Sequence, residues 1–123
     1  MAEQGMITNT PGMVWYLAHP YTNPSPAKNV ERCIGIANHL IDVGFSIYAS
    51  IIMTHWIDVG KTRPAAFWYR FDEDLMAKCD GIILSPGWES SKGCVNEMKW
   101  FKERGLPVLI HVDGAAPIEY KGE

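Results

Sequence analysis

GIILSPGWESSKGCVNEMKWFKERGLPVLIHV, residues 81–112, holds a complete strand–turn–helix–strand passage. GIILS at 81–85 is a short continuous apolar run, the pattern of a strand buried on both faces. Turn formers follow, and a helix starts near Gly93 or Cys94 and stops at Gly105, with Lys102 and Arg104 in its last turn against the negative end of its dipole. PVLIHV at 107–112 then returns as a strand. A helix between two neighbouring strands makes a crossover, so the strands run parallel.

The upstream sequence repeats this alternation. MVWYLA at 13–18 is an apolar, aromatic and β-branched run that ends in HPYTNPSP, a stretch dense in turn formers. Ser25 and Pro26 read as an N-cap and first helical position, and Val30, Ile34, Ala37 and Ile41 recur at helical spacing until Gly44 stops the helix. FSIYAS at 45–50 is the next strand. IIMTHWIDVGKTRP, at 51–64, has no single period and ends on a proline, so it reads as a loop holding one helical turn. From Ala65 to Cys79 the apolar positions Phe67, Trp68, Phe71, Leu75 and Cys79 form one helical stripe. The expected architecture is α/β: a single-domain, flavodoxin-like or Rossmann-like three-layer fold with a mainly parallel sheet of 4–5 strands. Residues 13–113 form the domain, with a polar leader at 1–12 and a polar tail at 114–123.

Composition excludes several classes. A net charge of −3 without a Lys/Arg run does not suit a duplex-binding surface, so no nucleic-acid partner is expected. Cys33, Cys79 and Cys94 are an odd count without CxxC spacing, which points to neither disulfides nor zinc and fits a reducing cytoplasm. No apolar run reaches the roughly 18 residues of a membrane span, and the start lacks a signal-peptide layout. No GxGxxG or GxxxxGK[ST] motif occurs, and no His/Asp/Glu spacing matches a metal site, so no cofactor and no metal are expected.

Ligands of such sheets bind beyond the carboxyl ends of the strands, here His19–Pro26, Ser50–His55 and Ser85–Gly93. Glu97 stands near the positive end of its helix, beside an anion cradle of Ser90, Ser91 and Gly93. Asp72, Glu73 and Asp74 form an acidic cluster, in which Glu73 points away from the Phe67/Phe71/Leu75 stripe and Asp74 sits on its edge. Tyr16 alternates with Trp15 and Leu17. His19 and His55 lie at strand-end loops, whereas His39 and His111 read as helix-surface and strand-end residues.

WYLAHPYT, EDLMAKCDGIIL and GWESSKGCVNE, in that order and across about residues 15–110, resemble the nucleoside 2-deoxyribosyltransferase-like superfamily, especially its small bacterial and phage members. Tyr16, Asp74, and Glu97 after Gly93 stand where that family carries a strand-end tyrosine, an aspartate of an acidic D-L segment and a glutamate beyond a glycine loop. Ser91 resembles the phosphate-contacting serine of 2′-deoxynucleoside 5′-monophosphate N-hydrolases. The chain departs from the pattern at His19 and Pro20, which replace a glycine-rich phosphate loop, and at Trp88 and Met98, which are bulky.

The resemblance implies an enzyme, a glycosidase acting as hydrolase or transferase. It would cleave the N-glycosidic bond of a (deoxy)nucleoside 5′-monophosphate through a covalent glycosyl-Glu97 intermediate, by hydrolysis or base exchange. Tyr16 would orient Glu97, and Asp74 would hold the sugar or protonate the base. His19, Ser90, Ser91 and Gly93 would bind the phosphate, and Tyr21, His55, Trp56 and Trp88 would wall a base pocket. The family's assemblies imply a homodimer or higher homo-oligomer, a use for some of the tryptophans Trp15, Trp56, Trp68, Trp88 and Trp100. A non-catalytic nucleotide-binding or sensing module of the same fold is the competing expectation.

Overall fold

The computed structural model describes residues 9–122, so Met1–Thr8 of the polar leader and Glu123 of the tail lie outside the described residues. Strands β1 (Val14–Ala18), β2 (Ser46–Ala49), β3 (Gly81–Leu84), β4 (Val108–Ile110) and β5 (Ile118–Glu119) form one sheet in the order β2-β1-β3-β4-β5. The first four are parallel and β5 is antiparallel to β4. Helices α1 (Pro26–Asp42), α2 (Ser50–Gly60), α3 (Ala65–Met76) and α4 (Lys92–Glu103) complete an α/β three-layer domain.

Alternation along the strands assigns the layers. Tyr16, Ala18, Ile82, Leu84 and Val108 pack against Met76 at the end of α3 and Cys94, Met98 and Phe101 of α4. Trp15, Leu17, Ile83 and Leu109 face the other way, onto Cys33, Ala37 and Leu40 of α1 with Ile51 and Ile52 of α2 beside them. The three cysteines are free and buried in these two layers. Among the described residues, no helix is long and apolar enough to cross a membrane.

The loop that leaves β1 is held from inside. Asn29 is 1% exposed. Its Nδ2 donates to the carbonyls of Tyr21 at 2.9 Å and Asn23 at 2.7 Å, while Ser25 caps α1 by accepting from the Lys28 N–H. Asn29→Ala removes both loop bonds and leaves two carbonyls without their donor, so we expect a loss of about 2 kcal/mol in urea denaturation and faster hydrogen exchange at residues 21–25.

Two segments differ from the sequence reading. Residues 51–60, expected as a loop, form α2. This helix starts at once from β2 with no side-chain cap at Ala49. Only Ile51 and Ile52 pack on the α1 layer, while Met53, Trp56, Ile57 and Val59 stay exposed, so apolar residues surround the helix and erase its period. At its far end Asp58 accepts from the Arg63 N–H and from Trp68 Nε1, both at 2.8 Å, and so ties α2 to α3. The tail beyond residue 113 holds β5. Tyr120 donates its N–H to the Val108 carbonyl, and its ring lies 5.3 Å from that of Trp88.

Candidate active site

At the carboxyl edge of the sheet a cavity of about 1540 Å³ opens between the ends of β1 and β3, α1, α3 and the first turn of α4. The residues around it come from four chain segments that the crossovers bring to one edge.

Tyr16 of β1 and Glu97 of α4 meet at its floor. The Tyr16 hydroxyl donates to Glu97 Oε2 at 2.8 Å. The Tyr16 ring is 1% exposed and is held by Tyr48 and Phe101, with ring centres 5.9 and 6.0 Å away. Burial, the nearby acids and the bond to Glu97 raise the Tyr16 pKa well above its usual range, so the phenol keeps its proton and acts as a donor. Burial also pushes Glu97 up to about 8; the Tyr16 bond opposes that rise and the charge of Asp72 adds to it.

Asp72 of α3 lines the same cavity and accepts from Ser50 Oγ at 2.7 Å. Burial raises it to about 6, against the lowering effect of the Ser50 bond. The second carboxyl of the site is therefore Asp72 and not Asp74. Asp74 lies two residues on, roughly 200° around the helix, and is exposed outside the cavity. The stripe chosen from sequence misplaced the rotation of α3, because Phe67 is 43% exposed and the face turned to the cavity is that of Trp68, Tyr69 and Asp72.

The turn from β3 into α4 leads into the helix that carries Glu97. Gly87 takes a positive φ of 88°, and a single 3₁₀ turn at Trp88–Ser90 leads to Ser91, the N-cap of α4, whose Oγ accepts from the Cys94 N–H at 3.3 Å. The N–H groups of Lys92 and Gly93, in the first turn, have no intrahelical acceptor. A Cβ added at Gly93 would meet only Ser91 Oγ at 4.0 Å, so the approach to these donors is open. Ser90, Ser91 and Gly93 all line the cavity.

His19 also lines the cavity, and its Nδ1 lies 2.7 Å from the Pro20 carbonyl. A carbonyl only accepts, so Nδ1 carries the proton and Nε2 presents a lone pair. Burial lowers the His19 pKa, against the raising effect of the Pro20 bond. A neutral ring of this kind suits a sugar hydroxyl better than a phosphate.

The expected base pocket is corrected in three places. Trp88 points into the core beneath Tyr120, Trp56 is 62% exposed on the outer side of α2, and His55 is buried behind Tyr21. His55 and the Tyr21 hydroxyl share a 2.7 Å hydrogen bond, so His55 supports the one predicted wall residue that does line the cavity. The remaining wall on this side is Asp58 and Arg63, from the segment read as a loop, with Trp68 and Tyr69 of α3. Ser50, the first residue of the carboxyl-edge segment Ser50–His55, gains a definite role here as the donor to Asp72. Among the described residues, no group of three or more His, Cys, Asp and Glu could hold a metal ion.

Residues 13–113 match the model of a family described as a domain of unknown function, DUF1937. No curated protein matches the chain.

Proposed function

The chain belongs to the DUF1937 family, whose description assigns no activity, and from the cavity we propose that it cleaves the N-glycosidic bond of a nucleoside 5′-phosphate, with Glu97 as nucleophile. The 2.8 Å bond from Tyr16 to Glu97 Oε2 carries this reading. It fixes one carboxylate oxygen and leaves the other for a sugar carbon, while the open donors at Lys92 and Gly93 supply an anion subsite beside it. The resemblance to the nucleoside 2-deoxyribosyltransferase-like superfamily supports the same chemistry.

Glu97 attacks C1′ as the C1′–N bond breaks, and the bonding pair leaves with the base nitrogen, which takes a proton from Asp72. Water then attacks C1′ of the glycosyl ester, Asp72 accepts its proton, and Glu97 is released as carboxylate. A second base in place of water gives exchange. Between about pH 6 and 8 the two carboxyls hold one proton between them. Attack needs it on Asp72, and positive charge building at C1′ above Glu97 favours that arrangement. We therefore expect kcat/KM to be bell-shaped, with limbs near 6 and 8. Tyr16→Phe removes the bond that favours the Glu97 anion, so the alkaline limb should move up in pH and kcat/KM should fall roughly 10- to 100-fold. A limb that stays in place would show that Tyr16 does not act through Glu97.

The direct test is chromatography for free base after incubation with ribo- and deoxyribonucleosides and their 5′-monophosphates. Release from monophosphates is the expected result. Absence of release from every compound, with ligand-induced thermal stabilisation retained, would replace this reading by a nucleotide-binding module. The proposal includes a homo-oligomer: Met53, Trp56, Ile57, Phe67 and Tyr69 leave an exposed apolar surface beside the cavity, which a second copy would cover. Sedimentation as a monomer at micromolar concentration would remove that part.

A further inference from the structure

The cavity crosses the sheet edge. Glu97 and Tyr16 lie on the α4 side, but Arg32, Gly35, Ile36, His39, His111 and Asp113 line its other end, on the α1 side. Leu109 faces α1, so His111, two residues later and still bonded through its N–H to the Leu84 carbonyl, keeps that side. The His39 and His111 rings meet edge to face at 5.3 Å. Among the described residues no helix follows β4 on this face; instead the chain at Ala115 accepts a 2.7 Å bond from His39 Nε2, leaving a groove between α1 and the 111–114 turn. A Cβ at Gly35 would meet nothing within 4 Å, so the α1 wall is open there.

Three observations give this groove a chemical preference. Its charged wall residue on α1 is Arg32, and among the described residues no carboxylate pairs with it. His111 is 6% exposed, its Nε2 lies 3.2 Å from Asp113 Oδ1, and its Nδ1 is buried with no hydrogen-bond partner among the described residues. That nitrogen meets no protein group, so a ligand in the groove is its available partner. The neighbouring Ser85 Oγ, next in register on β3, is also buried without a partner. Buried polar groups without partners are costly, and here two of them stand in neighbouring register at the carboxyl edge, with His111 lining the groove.

The position of the groove identifies what reaches it. β4 adjoins β3, and the turn leaving β3 carries Ser91 and Gly93, so the groove continues from the first anion subsite, away from the Trp68–Tyr69 wall where a base would lie. The volume of about 1540 Å³ exceeds the roughly 300–1,000 Å³ of ordinary small-molecule pockets. We propose that the substrate extends beyond its 5′-phosphate, as a nucleoside 5′-diphosphate or pyrophosphate-linked dinucleotide, with the second phosphate held by Arg32 and His111. This rests on the N-glycosidase reading for the orientation of the nucleotide, and it narrows the substrate class.

The test uses equilibrium binding to full-length Glu97→Gln, which separates recognition from turnover. Mono- and diphosphates of adenosine, guanosine, cytidine and uridine, together with a dinucleoside pyrophosphate, are titrated by calorimetry. Diphosphates should bind roughly 10-fold or more tightly than monophosphates. Adding Arg32→Ala or, separately, His111→Asn should bring that ratio close to one, with unchanged circular dichroism. Tight binding of the dinucleotide as well as the diphosphates would assign the groove to a linked second half; binding of diphosphates alone would assign it to a terminal phosphate. Equal affinity for mono- and diphosphates, or an Arg32→Ala effect that weakens both alike, would overturn the proposal. A retained diphosphate preference with no base release by the wild type would leave the second phosphate site standing and remove the glycosidase reading. Failure to bind any of these compounds would overturn both.

Discussion

Replacing Glu97 by glutamine is expected to lower base release by at least roughly 10³-fold while making the protein more stable at alkaline pH. The amide keeps an acceptor for Tyr16 and nearly the same volume, so the variant should fold. On the proposed mechanism the loss in rate follows from removing the carboxylate that would trap C1′. The gain in stability follows from linkage. Glu97 has a folded-state value raised from 4.5 to about 8, so the folded protein holds this proton more tightly than the unfolded chain does. Stability attributable to it is therefore fully present below about pH 4.5 and is lost as pH rises through 8. At pH 8.5–9 the wild type carries the whole cost of a buried anion, and the glutamine carries none. Allowing for water in the cavity, the difference is on the order of 2 kcal/mol, which corresponds to roughly 5–10 °C in Tm. Scanning calorimetry at pH 5 and pH 9 would check the sign: the variant should gain at pH 9 and much less at pH 5. Equal Tm values at pH 9 would mean that Glu97 is well solvated and has an ordinary pKa.

Gly81→Ala should be the most damaging of the small core changes. Gly81 pairs in register with Trp15 at the start of β3. A Cβ there would lie 2.5 Å from Trp15 Cζ3, 2.8 Å from Cε3 and 2.9 Å from the Pro107 carbonyl oxygen. None of these neighbours yields easily. The Trp15 ring is 0% exposed, meets Phe45 at 5.8 Å and donates from Nε1 to Asn9 at 2.9 Å. The Pro107 carbonyl accepts the Ile82 N–H and so belongs to the β3–β4 ladder. Relief requires moving β3 away from one neighbour, at a cost of about 3 kcal/mol or more. A guanidinium titration should show a lower midpoint, and Trp15→Phe introduced alongside should recover part of the loss by freeing space at the ring edge. An unchanged midpoint in the single variant would show that the two central strands are loosely packed at this point.

The sequence made the fold legible wherever a strand ended in turn formers and a helix had one apolar face. That describes β1 with α1 and β3 with α4, and those two units hold Tyr16, Glu97, Ser91 and Gly93. It failed where burial is uneven. α2 has apolar residues on every side and no capping side chain, so neither its period nor its start was visible in the residues themselves. β5 has two residues and no pattern. The choice between Asp72 and Asp74 turned on the rotation of α3, and the apolar stripe misreported it because the first half of that helix leaves Phe67 and Tyr69 exposed. The groove residues Arg32, His39 and His111 carried no local signal, since only the strand order β2-β1-β3-β4 brings their segments to a common edge.

The three interior thiols give the molecule a practical property. Burial pushes Cys33 and Cys94 up to about 12 and Cys79 to about 11, so none offers thiolate to a reagent at neutral pH. The native chain is thus nearly silent towards maleimides while folded, and a single cysteine introduced at exposed Glu89, on the turn before α4, would be the dominant labelling position without removing any of the three. A fluorophore attached there would sit at the rim of the cavity and report ligand arrival in real time.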